Sequence, residues 1–330
     1  MAIESIPLCP ITGLPAARRI QGISKALVIG LWRFSAGVDV RRLIAPVRGL
    51  ALWESPCGLA FFHPMVAGDA AFYADFYKGM RVHEDFLGDP FGDRAEFVAA
   101  RAFVQPGDRV LDVGCGLGPF RRHIPMAAYT GIDPYLDDDQ VAPDLLKVVA
   151  EDHARVQAEA YDVVCAFQVI EHVADPLGFA RTLVAMVKPG GRLILGAPLW
   201  PSPMTDTPNM VTNATPHHLS WWTEGAMRAL AAELQLDVLT ATALPAHRQH
   251  AMFHWLTWWS PVKARGPFFK HAWSWHFSLK FAHWAAQLAM RLGLAAPKAA
   301  ARSMDVLLVA RKPPPASHEP DGGPAKRPRL

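Results

Sequence analysis

The sequence predicts an α/β fold built around a mainly parallel β-sheet. From 109 to 197, short apolar runs alternate with helical segments, which is the pattern of parallel strands joined by crossover helices. The strand predicted at 109–113 contains one carboxylate, Asp112, and leads into glycines at 114, 116 and 118. Because glycine tolerates positive φ and has no Cβ, this turn would let a ligand approach the backbone closely.

The other elements follow from hydrophobic periodicity and from turn residues. A helix is expected directly after the glycine turn, with its free N–H groups facing the ligand. Further helices are predicted at 93–104, after the Asp175–Pro176 pair, and from Thr223 to about 234. Strands are predicted at 109–113, 129–132, 146–149, 161–167, 191–196, 236–240 and 304–309.

The bulk composition limits the class of protein. The 330 residues suffice for one large domain or two ordinary ones, and a net charge of +3 gives no indication of nucleic acid binding. The four cysteines are scattered, which favours a reducing cytoplasm over a disulfide framework. The N-terminus lacks a signal pattern, and no apolar run approaches the roughly 18 residues of a spanning helix. We therefore expect a cytoplasmic protein, either soluble or attached to a membrane surface.

Residues 1–64 resemble a zinc ribbon that has lost half of its ligands. Cys9 and Cys57 lie in C-x-x-C-G-like knuckles, but Thr12 and Glu54 stand where the other two thiolates would be. Two thiolates do not close a tetrahedral site, so the sequence predicts no bound metal. Between them, apolar residues recur at helical spacing at Leu27, Leu31, Phe34 and Val38. This helix faces the core in one interpretation and caps an acceptor site in the other.

Residues 65–104 are interpreted as lead-in helices, and an unusual insert lies at about 245–300. From Val238 to Met304 there is no Asp or Glu, while eight Lys or Arg and six of the eleven tryptophans occur there. The segment is either a helical cap on the domain, a pocket for an anionic acceptor, or a peripheral membrane contact through 252–292. The tail at 312–330 is predicted to be disordered. One helical stripe of the insert contains Trp273, Phe277, Phe281, Trp284, Leu288 and Leu292.

Asp133 narrows the class of ligand that the glycine turn could bind. It ends the strand after the turn, where a carboxylate can accept two hydrogen bonds from a ribose diol. Dinucleotide-binding folds use G-x-G-x-x-G, which differs from glycines at 114, 116 and 118. A nicotinamide-dependent dehydrogenase is therefore disfavoured.

Residues 110–120 resemble motif I of the class I S-adenosylmethionine-dependent methyltransferases. Glu151 and Asp152, after the third strand, match the place where an acid meets the adenine amino group. The block 168–176 looks like the fourth-strand block of the broad small-molecule group that includes ubiquinone-biosynthesis methyltransferases, and 188–191 matches the turn before strand five. The resemblance covers about 105–240 plus the final strand.

The resemblance implies a Rossmann-like, seven-stranded sheet with flanking helices, whose last strand is antiparallel and lies beside the fifth. The methyltransferase domain would extend over 105–311 and use S-adenosylmethionine as cofactor. Phe167 and Gln168 would border the transferred methyl group. Cys115 and Cys165 are expected to be small core residues rather than reactive thiols. The predicted cofactor-binding residues are Asp112, Gly114, Cys115, Gly116, Gly118, Asp133, Asp152, Phe167 and Gln168.

The expected reaction is methyl transfer to a small-molecule or lipid-linked acceptor, with an oxygen as the favoured target and S-adenosylhomocysteine as product. An oxygen acceptor needs a base, for which the candidates are His172 beside Glu171 and the pair His217 and His218. For each single histidine, packing or helix entry is the favoured alternative to the role of base. The alternative is a catalytically silent protein that binds S-adenosylmethionine and acts at a membrane surface or a partner. The sequence predicts no oligomeric state.

Overall fold

A computed structural model of the chain describes residues 6–81, 93–247, 250–294 and 302–314. The predicted tail therefore lies almost entirely outside the described residues. The strands are β1 (Arg18–Gly22), β2 (Ala51–Glu54), β3 (Ala60–His63), β4 (Arg109–Val113), β5 (Ala128–Ile132), β6 (Leu145–Leu146), β7 (Tyr161–Phe167), β8 (Val187–Pro198), β9 (Ser220–Trp221), β10 (Asp237–Ala243) and β11 (Asp305–Arg311). The α-helices are α1 (Lys25–Ala36), α2 (Arg41–Ile44), α3 (Ala70–Arg81), α4 (Ala95–Ala100), α5 (Ala150–Val156), α6 (Pro176–Met186), α7 (Pro203–Asp206), α8 (Glu224–Glu233), α9 (Ala251–Trp259) and α10 (Trp273–Arg291).

The central sheet has seven strands in the order β10-β11-β8-β7-β4-β5-β6. The neighbours from β8 to β6 are parallel, and β11 runs antiparallel to both β8 and β10. Buried aliphatic side chains of β7, β8 and β11 pack on both faces, as expected of strands covered by helices. The predicted mostly parallel, Rossmann-like sheet with an antiparallel last strand is confirmed.

Two elements near the glycine turn differ from the prediction. The expected α-helix after the turn is only a 3₁₀ turn, Pro119–His123, because the chain reaches β5 too soon for helical turns and a return. The strand predicted at 146–149 is reduced to β6. The helix predicted at 93–104 is divided into α4 and a 3₁₀ turn, Arg101–Phe103. The sheet edge that carries the glycine turn is thus covered by fewer helical residues than the sequence predicts.

The N-terminal region forms a second, antiparallel sheet in the order β1-β2-β3-β9. Its last strand comes from far along the chain, since Ala60 pairs with Trp221 and Phe61 with Ser220. The predicted 1–64 unit therefore shares its sheet with the segment after β8. Helix α1 packs on this sheet through Leu27, Val28, Leu31 and Trp32, whereas Phe34 is 54% exposed, so the prediction that Phe34 faces the core is wrong. Relative to the predicted face, the buried face of α1 is rotated toward Trp32.

The insert is a pair of helices, α9 and α10, that pack on each other and on a methionine-rich cluster with Met204, Met210 and Met304. No helix among the described residues has both the length and the apolarity required to cross a membrane.

Candidate active site

The glycine turn after β4 forms an open cradle at the carboxyl edge of the sheet. Gly114 and Gly116 have φ of 70° and 52°, a region that side chains other than glycine rarely adopt. A Cβ at Gly114 would lie 2.5 Å from Cγ2 of Val169, whereas a Cβ at Gly116 would meet no atom within 4 Å. The backbone at Gly116 is therefore accessible to a ligand, and Gly114 is held from below by Val169.

Asp133 lies beside this turn because β4 and β5 are parallel neighbours. Its Oδ2 accepts a hydrogen bond from the N–H of Gly116 at 3.0 Å, and its Oδ1 accepts one from the N–H of Tyr135 at 2.8 Å. Each carboxylate oxygen retains a further lone pair. The turn and the acid thus form one site, with free acceptor capacity for the two hydroxyls of a ribose.

Asp112 lies beneath the turn, and Cys115 and Gly118 are part of it. The Asp112 carboxylate accepts a hydrogen bond from the Tyr129 hydroxyl at 2.9 Å, and burial raises the pKa of Asp112 to about 7. Cys115 is buried against Leu136 and Leu145, as expected of a small core residue. These contacts support the shape of the turn from inside the sheet. A direct contact of these three residues with the cofactor stays a prediction.

The remaining predicted cofactor residues have other neighbours. Phe167 is buried between Phe97 and Phe120, with ring centroids 5.2 and 4.9 Å away, so its side chain packs in the core. Only its backbone is left to border the methyl group. Asp152 lies in the first turn of α5 and is exposed, and its carboxylate pairs with Arg155 at 2.5 Å. Its adenine contact stays a prediction.

Gln168 reveals a polar cluster that the sequence did not predict. It has φ of 58°, and its side-chain amide donates to Glu96 Oε1 at 2.7 Å and to Asp305 Oδ1 at 3.3 Å. Burial raises the pKa of Glu96 to about 7, and His250 lies 3.0 Å from Asp305. Since these residues come from α4, the end of β7 and the start of β11, no local pattern could have linked them.

The three predicted histidines meet in a single cluster. Ligand atoms of His172, His217 and His218 all lie within 4.8 Å of one another. The His172 Nδ1 lies 2.8 Å from the backbone carbonyl of His217, to which it can donate. Burial lowers the pKa of His172 to about 4 and lowers the pKa of His217 and of His218 well below the usual value of a histidine. All three imidazoles are therefore neutral near pH 7 and carry a lone pair that can accept a hydrogen bond or bind a cation.

Glu171 lies under this cluster, fully buried, with Oε1 3.6 Å from Nε2 of His172. Neither carboxylate oxygen has a hydrogen-bond partner among the described residues, and the same holds for Nδ1 of His217 and the hydroxyl of Tyr73. Burial raises the pKa of Glu171 well above its usual value. Buried polar groups are normally paired, so this concentration of unpaired ones points to a missing ligand.

The N-terminal sheet fixes the histidine segment in place. Phe62 N–H donates to the Leu219 carbonyl at 2.9 Å, and the Trp32 indole donates to the Thr215 carbonyl at 2.9 Å. From the other side, Leu219 N–H donates to the Glu171 carbonyl at 2.7 Å. The 217–218 pair is therefore held between the N-terminal sheet and the 3₁₀ turn Ile170–His172 that follows β7.

Aromatic rings of α1 and α3 cover the cluster. The ring of Phe76 is tilted against that of His217 with 4.6 Å between centroids, and the ring of Tyr73 lies 6.2 Å from His172 and 5.6 Å from Tyr135. Tyr135 follows Asp133 by two residues, so Tyr73 spans the distance between the histidines and the nucleotide side. Sequence alone placed Tyr73 and Phe76 in a lead-in helix and gave no signal that they cover the histidines.

The half-knuckles of the N-terminal region also come together. The sulfurs of Cys9 and Cys57 lie 3.9 Å apart. No third His, Cys, Asp or Glu joins them within the part of the chain that the structure describes, where the three-histidine cluster is the single group with metal-ligand geometry. The zinc-ribbon resemblance is not confirmed beyond this pair. The structure instead brings three histidines within metal-ligand distance of one another, whereas the sequence predicted no metal site.

Comparison with known proteins agrees with this geometry. Residues 89–241 match the family model described as a methyltransferase domain. The ubiquinone biosynthesis O-methyltransferase of Vibrio vulnificus (strain YJ016) is 36% identical over 112 residues, covering 30% of this chain and 48% of that protein. That of Escherichia coli O157:H7 is 36% identical over 110 residues, covering 30% and 46%. The chain spans about half the length of the curated relatives that it matches.

Solved structures with a similar arrangement include S-adenosylmethionine-dependent methyltransferases from Archaeoglobus fulgidus and Mesorhizobium loti. The first has a TM-score of 0.44 and 15% identity, covering 71% of this chain and 99% of that one. The second has a TM-score of 0.41 and 17% identity, covering 67% and 99%. Residues 89–241 are therefore identified as a methyltransferase domain, and this part of the chain resembles the class I S-adenosylmethionine-dependent methyltransferases.

Proposed function

We propose that the protein transfers a methyl group from S-adenosylmethionine to an oxygen of a small-molecule or lipid-linked acceptor, with S-adenosylhomocysteine as product. The observation that carries this proposal is the placement of two unlike sites on one sheet edge. The open backbone at Gly116 lies beside Asp133, and the buried histidine cluster follows β7, the next strand on the other side of β4. Such adjacent sites suit a nucleotide donor and a second, less polar substrate.

The donor side fits S-adenosylmethionine. Asp133 has acceptor capacity for the ribose hydroxyls, and the space above Gly116 admits a ligand that a Cβ would obstruct. The bound cofactor supplies an electrophilic methyl carbon on a sulfonium, so the protein needs mainly to align the acceptor and to exclude water. Tyr73 and the rings around it exclude water on the acceptor side.

The acceptor side fits a hydroxyl group in an apolar environment. Neutral imidazoles of His172, His217 and His218 offer lone pairs near the end of β7, where they can accept a hydrogen bond from an attacking hydroxyl. The rings of Trp32, Phe72 and Phe76 provide an apolar wall. An oxygen acceptor is also supported by the relatives, which are named as ubiquinone biosynthesis O-methyltransferases.

The test is a turnover assay with methyl-labelled S-adenosylmethionine and a panel of phenols and catechols, with and without an isoprenoid tail. We expect labelled O-methyl product and S-adenosylhomocysteine in equal amounts. Binding of S-adenosylmethionine without product formation against the panel or against cell extract would instead favour the catalytically silent alternative.

A peripheral membrane contact is proposed for α10. This helix buries a narrow face of small residues, such as Ser278, Ala282 and Ala286, and turns its large residues outward. The rings of Trp273 and Phe277 stack 5.3 Å apart and are 79% and 52% exposed. An exposed aromatic stripe within a segment that has basic and no acidic residues suits the headgroup region of an anionic bilayer.

Vesicle sedimentation tests this contact. The protein should sediment with vesicles that contain anionic lipid, and the substitution of Trp273, Phe277 and Trp284 by Ser should weaken binding at least about 10-fold, because each buried ring contributes well over 1 kcal/mol. The matched control replaces the exposed Leu14, Val98 and Val156 by Ser. Equal sedimentation of both triple variants would contradict the contact.

A further inference from the structure

The histidine cluster has the composition and spacing of a metal site. Ligand atoms of His172, His217 and His218 lie within 4.8 Å of one another. In a tetrahedral zinc site with nitrogen ligands, bonds of about 2.0–2.1 Å place the nitrogens roughly 3.3 Å apart. Side-chain movements of about 1 Å would bring the three nitrogens to that separation, which rotation about side-chain torsions can supply. His217 and His218 are buried, and 20% of the His172 side chain is exposed.

Two further observations point to a ligand at this place. Nδ1 of His217, a residue that is 9% exposed, has no hydrogen-bond partner among the described residues. Both oxygens of the fully buried Glu171 also lack one, and Oε1 lies 3.6 Å from Nε2 of His172. Buried polar groups are normally paired, and a cation among the imidazoles would give the ring nitrogen and the carboxylate a partner.

The hydrogen bond of His172 orients its free nitrogen. Its Nδ1 lies 2.8 Å from the His217 carbonyl and can donate to it, which leaves the lone pair on Nε2. A ligating histidine commonly donates its other N–H to a backbone carbonyl in this way. The same carbonyl belongs to a second member of the cluster, so the bond links two of the three rings.

We propose that His172, His217 and His218 bind one divalent transition-metal ion of the zinc class, with Glu171 as the adjacent compensating carboxylate. Three neutral imidazoles suit zinc, cobalt and copper ions and do not suit magnesium or calcium, which prefer oxygen ligands. Three protein ligands leave one position open in a tetrahedral site. This role rests on the proposed methyl transfer: an ion held by these residues would lower the pKa of an acceptor hydroxyl bound at the open position.

Metal uptake by the untagged, full-length protein tests the site, because a polyhistidine tag would bind the same ions. The protein is stripped with a chelator and titrated with Zn²⁺, followed by elemental analysis, and with Co²⁺, followed through its visible absorption bands. We expect one ion per chain. His218→Gln should weaken Zn²⁺ binding by about 100-fold or more, since it removes one of three ligands, and His172→Gln repeats the test should the first variant not fold.

Two controls separate this site from others. His153→Gln removes a buried histidine that bonds the Tyr161 hydroxyl, outside the cluster, and should leave uptake unchanged. The Cys9→Ser, Cys57→Ser double variant removes the two neighbouring thiols and should also retain one ion. Uptake below a tenth of an ion per wild-type chain, uptake unaffected by both histidine variants, or uptake lost in the cysteine variant would overturn the proposal. None of these readouts uses S-adenosylmethionine or an acceptor, so failure of the metal site and failure of methyl transfer are distinguished.

Discussion

The proposed donor side and the proposed acceptor side of the sheet edge are built in opposite ways. The donor side consists of backbone at the ends of two adjacent strands, with Gly116 open to solvent and Asp133 partly exposed. The acceptor side consists of side chains from α1, α3, the turn after β7 and the segment before β9, and two of its three histidines, His217 and His218, are buried. The donor side needs only two consecutive strand ends, whereas the acceptor side needs the complete tertiary fold.

This difference implies that the two sides can be altered separately. Val169 is the link between them, because its side chain supports Gly114 and its residue begins the turn that leads to Glu171 and His172. Substitutions that spare Val169 should change the affinity for the donor or the turnover of the acceptor, and not both. The predictions that follow test this separation.

The largest expected effect is on turnover, through the acceptor side. His218→Gln should lower the rate of S-adenosylhomocysteine formation by about 10²–10⁴-fold, the usual contribution of a group that handles the acceptor proton. The dissociation constant of S-adenosylmethionine should stay unchanged. His153→Gln, a buried histidine away from the site, serves as control. A fall in turnover explained wholly by weaker donor binding would contradict the separation of the two sides.

The next effect is on donor binding, through the glycine turn. Gly116→Val places a branched side chain in the open space above the turn and should weaken S-adenosylmethionine binding by about 100-fold, as the substitution removes close backbone contacts. Gly107→Val is the matched control, since Gly107 also has positive φ and empty surroundings. Both should lose about 1–2 kcal/mol of stability from the left-handed backbone. Equal affinity of the two variants for S-adenosylmethionine would contradict the claim that the donor binds against the backbone at Gly116.

Asp133→Asn should have a smaller effect on the donor. A hydrogen bond to a charged group is worth about 1.5–3 kcal/mol, so the loss of the carboxylate should weaken S-adenosylmethionine binding by about 10- to 100-fold. Methionine has no ribose, so the concentration of methionine needed to compete with S-adenosylmethionine for the site should not reflect the loss of this contact. The exposed Asp139, replaced by Asn, is the control in the same titration. Unaltered affinity in Asp133→Asn would remove the ribose contact from the account.

The smallest effect concerns stability and pH. Burial raises the pKa of Asp112 to about 7, above its usual value of 3.8. Between these two values the folded protein binds more protons than the unfolded chain, so the free energy of unfolding should fall as pH rises, by about 1 kcal/mol between pH 5 and 6. Asp112→Asn removes this contribution and should flatten the curve relative to wild type. Parallel denaturation curves of the two proteins over this range would contradict it.

Much of the donor side could be predicted because its signals are local. The bounds of β4 and β7 match the predicted strands, and the glycine spacing with Asp133 at the next strand end placed the turn and the acid together. Such features depend on neighbouring residues and on the parallel order of two strands. The missing helix after Gly118 is the exception, since the length of the chain before β5 overrode the expected pattern.

The acceptor side could be predicted only as a set of separate candidates. His172, His217 and His218 were all identified from sequence, but their approach within 4.8 Å requires the pairing of β3 with β9. Strand pairing across such a sequence separation leaves no periodic signal in either segment. For the same reason Tyr73, Glu96 and Asp305 were not recognised as part of the site. Aromatic and acidic residues in a helix or at a strand end look the same whether they pack or line a pocket.

Calorimetric titration of S-adenosylmethionine into the wild-type protein and into the His217→Gln, His218→Gln double variant tests the central claim most directly. Because the two sides share no polar contacts among the residues concerned, their contributions should be independent. We expect one donor per chain in both proteins, with dissociation constants that agree within about twofold, while the double variant forms no S-adenosylhomocysteine. The account would be contradicted by a wild-type protein that binds no S-adenosylmethionine, or by a double variant that loses donor affinity as severely as Gly116→Val.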